Sequence, residues 1–433
     1  MGKRVTFLAF VVGCLAVLSG CAGPTGSPPE GGNGTHGDPM RFQGILAAGT
    51  DFVLLVKPDG VYGWGDNRFG QLAEDPDTLP FRSTPAKIPG LDEAIAVAAQ
   101  FGIGENQRHA LALMGDGRLQ SWGVNPYGQL GRPQGYPTGT RTFEPPDYVV
   151  AEGGSEHLAN AVAIEAGRDF SLVIHVRDNE RRVLGFGDNV NHSHVLTQND
   201  DWYYDPRPLL RAEGQPLVGV QSVDAGDGHA LLLLEDGTVW TTGSNSHGQR
   251  GIANVSDRYA QQVPGLADVV QVAGGREHSV ALRRDGSVWA FGSNAEGQLG
   301  QDLSLTSTST PQRVPFPSGV QIRFITAGGT HNLALDQNGR VWAWGSNDHG
   351  QLGQGNSGNS SPTPVQVKGE GCTGTLSGAV LVKAGYDFSL AVVQEGGNLV
   401  LYAWGLNDRG QLGIGDTVDA LCPRRILAWA PSP

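Results

Sequence analysis

The stretch Trp344-Gly345-Ser346-Asn347-Asp348-His349-Gly350-Gln351-Leu352-Gly353 decides the fold, because the same phrase returns along most of the 433-residue chain. Seven copies can be recognised, and the one in the third repeat lacks the Gly-Gln pair. They begin at Trp64, Trp122, Phe186, Thr242, Phe291, Trp344 and Trp404. Copies spaced roughly 50 to 60 residues apart indicate a repeated supersecondary unit.

Two further signals outline a β-hairpin within each repeat. An Ala-Gly pair, as in Ala327-Gly328, precedes a short apolar run of strand length. An Asp-Gly or Asn-Gly pair follows, as in Asn338-Gly339, and accepts the positive φ that a two-residue turn requires. A second run such as Val341-Trp342-Ala343-Trp344 completes the hairpin. Evenly spaced short strands without helical periodicity predict an all-β protein, a seven-bladed β-propeller.

The two ends of the repeat region suggest how the ring closes. The first repeat starts at Gly44 without the Pro-x-x-Val strand that precedes later repeats. The chain ends with a segment of that kind, Pro423-Arg424-Arg425-Ile426-Leu427. We therefore expect this C-terminal strand to complete the first blade. Cys372 and Cys422 would remain as one pair in an oxidising compartment, and we predict that they form a disulfide that staples this closure. No zinc-ligand spacing accompanies them.

Composition and charge exclude several classes of protein. Glycine contributes 65 residues and proline 26, which argues against coiled coils and long helices. Hydrophobic residues make up 39% of the chain, too many for a disordered acidic chain. The net charge is −13 and no run of Lys or Arg is present, so we expect no nucleic-acid partner. An acidic balance weakly favours basic partners.

The N-terminal residues are typical of a targeting segment. Lys3 and Arg4 precede an apolar stretch, Val5 to Val17, that is too short to span a bilayer. Leu18-Ser19-Gly20-Cys21 then resembles the bacterial lipobox, which implies diacylation of Cys21 and stable membrane anchoring. We predict a lipoprotein signal peptide over residues 1–20, a lipidated Cys21 with a flexible Gly/Pro/Ser-rich tether over 21–41, and the propeller over 42–433. Plain secretion with an incidental thiol is the alternative.

The repeated phrases resemble those of the regulator of chromosome condensation family, whose members are seven-bladed β-propellers. The resemblance covers about Gly44 to Trp429. It is specific for the fold and weak for function, because propellers host many functions. The founding member exchanges guanine nucleotide on a nuclear GTPase, an activity that a lipoprotein outside the cytoplasm would not need. Other members are interaction scaffolds.

Most of the recurring residues are expected to be structural. The motif glycines suit positive φ, and the motif Asn and Gln are expected to bond turn amides and carbonyls. One slot of each repeat alternates between two aromatic residue types, which implies a buried packing position. It is filled by His109, His229, His278 and His331, and elsewhere by Phe52, Phe170 and Phe388.

Two sets of residues are the candidate binding sites. Between the Ala-Gly pair and the aromatic slot most repeats carry an acid, and these acids could form a collar around the channel mouth that attracts a basic protein segment or a cation. The members are Asp51, Glu105, Asp169, Asp227, Glu277 and Asp387. The alternative is that each acid caps its own turn. Trp202, Tyr203 and Tyr204, in an insertion, are candidate contact residues, or else they cover a neighbouring blade.

Enzyme and metal signatures are not found in the sequence. No Gly-x-Ser-x-Gly, His-Glu-x-x-His, Walker or EF-hand motif occurs. His192 and His194 would share one face of a strand but have no evident third ligand, so we predict neither a metal nor a cofactor.

The combined prediction is a non-enzymatic scaffold, monomeric and lipid-anchored in the cell envelope outside the cytoplasm, at the outer membrane if the source is diderm. One propeller face would bind an envelope or extracellular protein. The alternatives are an envelope hydrolase or lyase with its site at the channel mouth, and a carbohydrate-binding module.

Overall fold

The computed structural model describes residues 44–103, 108–132, 143–154, 156–189, 202–253 and 259–427, without the side chain of Trp202. These residues form seven four-stranded antiparallel sheets, and within each sheet the strands are adjacent in chain order. Each sheet is one blade, its first strand lines the central channel, and the fourth strand is the outer edge. The predicted all-β, seven-bladed propeller is confirmed.

The first three blades follow directly after one another. Blade 1 contains β1 (Leu46–Ala48), β2 (Phe52–Lys57), β3 (Gly60–Asp66) and β4 (Phe81–Lys87). Blade 2 contains β5 (Ala94–Ala99), β6 (His109–Met114), β7 (Leu119–Gly123) and β8 (Glu144–Tyr148). Blade 3 contains β9 (Ala161–Ala166), β10 (Phe170–Arg177), β11 (Glu180–Asp188) and β12 (Trp202–Pro208).

A small hairpin, β13 (Leu210–Ala212) and β14 (Gln215–Pro216), precedes the last four blades. Blade 4 contains β15 (Val220–Ala225), β16 (His229–Leu234), β17 (Val239–Gly243) and β18 (Gln261–Gln262). Blade 5 contains β19 (Val269–Gly274), β20 (His278–Arg283), β21 (Val288–Ser293) and β22 (Ser307–Arg313). Blade 6 contains β23 (Ile322–Ala327), β24 (His331–Asp336), β25 (Val341–Gly345) and β26 (Ser361–Gln366). Blade 7 contains β27 (Ala379–Ala384), β28 (Phe388–Glu395), β29 (Asn398–Gly405) and β30 (Ala420–Arg425).

The repeated motif forms the loop between the third and fourth strands. In blade 6 the Leu352 amide donates to Asn347 Oδ1 at 3.1 Å, and the His349 amide donates to Gln351 Oε1 at 2.9 Å. The Asn and Gln side chains therefore satisfy backbone donors of a tight loop, as predicted. Close approach of the next blade requires glycine in this loop. A Cβ on Gly410, for example, would lie 2.7 Å from Cα of Ser83 in blade 1.

The aromatic slot at the start of each second strand is buried in all seven blades, as predicted. Its histidines bond to the residue that follows the slot in the next blade. Nε2 of His331, for example, lies 3.0 Å from Ser389 Oγ. The Ser389 hydroxyl donates to the Gln351 carbonyl at 2.9 Å, so the imidazole is the donor of the other bond. Burial lowers the pKa of His331 to about 3, which keeps it neutral.

The choice between His and Phe matches the chemistry of the facing residue. Every slot histidine meets a polar residue of the next blade, and the partners are Ser171, Ser279, Asn332 and Ser389. Every slot phenylalanine shares an apolar core with a small or branched residue at the same place, and these are Ala110, Ala230 and Val53. Each seam between blades is therefore consistently polar or consistently apolar at this depth.

The ring does not close through an exchanged strand, so the predicted completion of blade 1 by the C-terminal segment is wrong. β30 pairs with β29 of its own blade, with Tyr402 opposite Arg425, and blade 1 is completed by its own β4. The Pro-x-x-Val strand ends each blade rather than opening the next. Blades 7 and 1 are instead joined by side chains and turns, including the Trp64 indole donating to the Gln411 carbonyl at 3.0 Å.

The predicted disulfide between Cys372 and Cys422 is present, with 5.4 Å between the two Cα atoms. Its expected role at the ring closure is wrong. Cys372 ends a 3-10 turn, Glu370–Cys372, in the connection that follows blade 6, and Cys422 lies in β30 of blade 7. The disulfide therefore fixes the connection between blades 6 and 7 to the outer edge of blade 7.

The matched seams predict the outcome of a double substitution. We expect His331→Phe and Ser389→Ala each to lower the free energy of unfolding by about 1–3 kcal/mol, because each leaves a buried polar group without its partner. The double variant reproduces the Phe170–Ala230 seam and should recover part of the loss. Guanidinium unfolding of the four proteins measures the coupling, and strictly additive losses would contradict the matching rule.

Candidate functional site

The turns between the first and second strands of the blades converge at one end of the channel. This end, which also carries the motif loops, is called the loop face; the opposite end, with the turns between second and third strands, is the hairpin face. A chain of backbone bonds joins neighbouring turns at the loop face. Its links are Thr50 N to Gln100 O, Arg168 N to Asp227 O, Asp227 N to Gly275 O, Arg276 N to Gly329 O, Gly329 N to Tyr386 O, and Tyr386 N to Gly49 O, at 2.8–3.3 Å. The mouth is consequently held by backbone as well as side chains.

Arginines accompany the predicted acidic collar. Arg108 Nη2 lies 2.8 Å from Asp51 Oδ2, across the seam between blades 2 and 1. Arg168 joins Asp169 and Asp227, with nitrogen-to-oxygen distances of 3.3 and 3.2 Å. The three acids named here are buried, so they do not form the free anionic collar that the sequence suggested. They are ion-paired parts of the mouth.

Two collar acids do retain solvent contact. Glu277 Oε1 lies 3.9 Å from Arg276 Nε, and Glu277 Oε2 lies 3.7 Å from His247 Nδ1. The Glu277 side chain is 33% exposed. Asp387 is partly exposed in blade 7. Among the described residues, these two acids and Arg276 are charged groups of the mouth that keep solvent contact.

Burial dominates the electrostatics of the paired acids. It raises the pKa of Asp169 to about 7 and the pKa of Asp227 to about 6, against the opposing attraction of Arg168. It also raises the pKa of Asp51 above its ordinary value, opposed by Arg108. The mouth therefore carries less negative charge near neutral pH than its count of carboxyl groups implies.

A segment of blade 2, Phe101-Gly102-Ile103, crosses the mouth, and we call it the crosspiece. The Thr50 hydroxyl of blade 1 donates to the Gly102 carbonyl at 2.8 Å, and the Phe101 and Tyr386 ring centroids lie 5.6 Å apart. A Cβ on Gly102 would collide with the Asp227 carboxylate of blade 4. The crosspiece thus contacts blades 1, 4 and 7 at the loop face. Ile103, its last residue, is 45% exposed.

Beneath the crosspiece, three ionisable residues occupy equivalent places on the first strands. Glu165, Asp224 and Lys383 each stand opposite the third residue of the second strand in their blade. Burial raises the pKa of Glu165 to about 8, with repulsion from Asp224 adding to it and attraction from Lys383 opposing it. Burial likewise raises the pKa of Asp224, and Lys383 opposes that shift. The three groups therefore interact within the channel.

Comparison with known proteins identifies the family to which this architecture belongs. The RCC1-like domain model matches residues 99–431. The chain belongs to the RCC1-like family. The ultraviolet-B receptor UVR8 of Arabidopsis thaliana is 28% identical over 398 residues, covering 90% of this chain and 83% of the receptor. The human E3 ubiquitin-protein ligase HERC2 is 26% identical over 389 residues, 87% of this chain but 7% of the ligase.

Solved structures show the same fold. Yeast RCC1 (Prp20), crystallised bound to Kap60, superposes with a TM-score of 0.69 at 22% identity, covering 93% of this chain and 90% of that chain. Human WBSCR16 superposes with a TM-score of 0.68 at 23% identity, covering 85% and 94%. Yeast RCC1 thus binds another protein in its crystal structure, and a chain of this kind matches only a small part of a much larger ligase.

Tyr203 and Tyr204 of the aromatic insertion pack against neighbouring blades. Tyr203 is 4% exposed and belongs to the core shared by blades 3 and 4. Tyr204 is partly buried, and its ring lies close to Gly128 in the motif loop of blade 2. This placement corresponds to the packing alternative, and it withdraws Tyr203 from the list of surface contact residues.

Several predicted residues lie outside the described part of the chain. They are Cys21 with the leader and tether, Glu105, His192 and His194. Trp202 begins β12, opposite Asp188. Among the residues that are described, no helix is long and apolar enough to cross a membrane. Within the same ranges, no three or more His, Cys, Asp or Glu side chains gather as a metal site would require.

The sequence reasoning missed the arginines and the channel residues. Arg108 stands directly before the slot, where other repeats carry an acid, and Arg168 and Arg276 stand one position earlier. Glu165, Asp224 and Lys383 each lie five residues before the slot. Alignment of the seven repeats on the slot would have exposed both patterns.

Substitution of Glu165 should change how stability depends on pH. Its pKa in the folded protein, about 8, lies above the ordinary 4.5, so the native state keeps a proton that the unfolded chain releases. Stability should be full below pH 4.5 and fall as the pH rises towards 8. Glu165→Gln removes this loss, so the variant should gain stability over the parent at pH 9 but not at pH 4. Denaturant midpoints at both pH values test this, with the exposed Glu235→Gln as control; parallel profiles would contradict it.

Proposed function

We propose that this RCC1-like chain is a non-enzymatic protein-recognition scaffold, held in the cell envelope by a lipid on Cys21, and that its loop face binds the partner. The observation that carries the choice of face is the crosspiece. It brings exposed Ile103 to the mouth, where neighbouring turns contribute Arg276, Glu277 and Asp387. An apolar centre bordered by charged groups is the usual anatomy of a protein interface.

The rigidity of the mouth supports recognition over catalysis. Backbone bonds link the turns of neighbouring blades, so the partner would meet a preformed surface and lose little free energy in ordering it. Asp51, Asp169 and Asp227, the acids that a hydrolase or lyase would use at the mouth, are buried and paired with arginine. The burial of Tyr203 similarly weakens the alternative of stacking on sugar rings.

The acidic charge of the chain favours a partner with a basic surface. The chain carries a net charge of −13, and Glu277 and Asp387 are partly exposed at the mouth. Such attraction mainly accelerates association and is weakened by salt.

Charge reversal on the two faces separates this proposal from a non-specific acidic attraction. We expect Glu277→Lys with Asp387→Lys to weaken partner binding about tenfold, because like charges would then face each other. Asp236→Lys with Asp285→Lys, on exposed turns of the hairpin face, changes the net charge equally and should have little effect. Quantitative pull-down from envelope extracts compares the three proteins, and equal losses in both variants would refute the choice of face.

The anchor is tested separately at Cys21. Cells fed an alkyne-tagged palmitate should label the parent protein, and the label should be absent from Cys21→Ser, because the thiol that receives the lipid is gone. The parent should sediment with membranes and the variant should not. Cys14→Ser, within the predicted leader, is the matched control. Labelling of Cys21→Ser at the parental level would rule out this attachment site.

A further inference from the structure

The channel holds charged groups that the proposed function does not use. Glu165 in blade 3 and Asp224 in blade 4 come from adjacent blades, while Lys383 comes from blade 7. The register of the strands sets all three at one level, since they pair with Leu172, Leu231 and Leu390 at the same step of their hairpins. The channel therefore has two carboxyl groups on one side and a lysine on the other at a single depth.

These groups are not neutralised by direct contact. No carboxylate oxygen lies within 4.0 Å of the Lys383 ammonium in the described ranges, and Glu165 has no hydrogen bond or ion pair there. Asp224 accepts one bond, from the Gly274 amide at 2.9 Å. All three side chains keep partial exposure, so they are reached by solvent. A gap therefore separates the ammonium from the two carboxylates.

The rest of the wall at this level is made of small residues, identified by the same pairing step. They are Ala47, Ala98, Ala273 and Thr326. No bulky side chain from these positions therefore stands between the lysine and the two acids. The crosspiece lies at the loop-face end of the channel, in contact with Thr50 and Tyr386.

We propose that the channel binds a small zwitterion, a free amino acid in chemical class, with its ammonium group held by Glu165 and Asp224 and its carboxylate by Lys383. Two carboxylates match the donors of an ammonium group, and a lysine supplies the charge-assisted bond to the opposite end. A simple cation would meet repulsion from Lys383, and a simple anion would meet repulsion from the acids. This site is independent of the partner-binding face, since it lies below the crosspiece.

Ionisation of Glu165 gives ligand binding a measurable consequence that a purely structural cluster would not show. Burial raises the pKa of Glu165 to about 8, so its carboxyl group is largely protonated at pH 7 when no ligand is bound. An ammonium group favours the ionised carboxylate, and binding should therefore release a proton to the buffer.

Isothermal titration of the full chain at pH 7 tests the site with three probes of increasing length: glycine, β-alanine and 4-aminobutyrate. We expect one of them to bind, and acetate and ethylamine, which each carry one of the two charges, to bind at least about tenfold more weakly. The heat should differ between two buffers of unequal ionisation enthalpy, which reports the released proton. Absence of binding by all three probes at millimolar concentration would overturn the proposal.

Variants locate the binding. Lys383→Met should weaken binding of the responsive probe about tenfold or more, while Lys87→Met, on the exposed outer strand of blade 1, should leave it unchanged. Glu165→Gln, which keeps the side-chain shape, should abolish the proton release and serves if Lys383→Met does not fold. Parental affinity in a folded Lys383→Met, or unchanged proton release in Glu165→Gln, would place the probe elsewhere. Charge reversal of Glu277 and Asp387 should leave the titration unaffected, so failure here leaves the partner-binding proposal intact.

Discussion

In six motif loops, one backbone carbonyl joins a blade to the next. The Gln351 carbonyl accepts the Ser389 hydroxyl at 2.9 Å and the Trp404 indole at 2.8 Å, both from the next blade. Gln298 does the same for Asn332 and Trp344. Carbonyls of Gln71, Gln129, Gln249 and Gln411 accept at least one such bond. Buried carbonyls must be satisfied, so the Gly-Gln phrase is kept in phase with the indole and hydroxyl that meet it.

The seams differ in polarity at the aromatic slot whether or not the preceding motif keeps its Gly-Gln pair. The third repeat lacks the pair, and its seam to blade 4 is formed by Phe170, Ala230 and their apolar neighbours. The first repeat keeps Gly70-Gln71, and its Phe52 also shares an apolar core with Ala110. The ring therefore tolerates two kinds of seam, one hydrogen-bonded and one apolar, provided that both sides agree. The cost of disagreement is a buried polar group without a partner.

Much of the fold could be predicted from the sequence, because the motif marks every blade and the slot marks one buried aromatic position in each. The phase of the repeats could not be read, since a Pro-x-x-Val strand such as Pro85 to Ile88 stands between two Ala-Gly strands and fits either blade by spacing alone. The acids at the mouth were predicted to be free for another reason. Whether Asp227 is a free anion depends on Arg168, which belongs to another blade, and such proximity across a seam is not encoded locally. The same holds for Lys383 and the two acids of the channel.

The retention of β30 in its own sheet has a consequence for how such rings change in evolution. Each blade is formed by one uninterrupted stretch of chain. Duplication or loss of the corresponding genetic segment therefore adds or removes a whole sheet and leaves no incomplete one. Seam chemistry would then be the main barrier to rearrangement. A copied blade can be inserted wherever its aromatic position and that of its new neighbour agree in polarity, and the shift from one kind of joint to the other requires two coordinated substitutions.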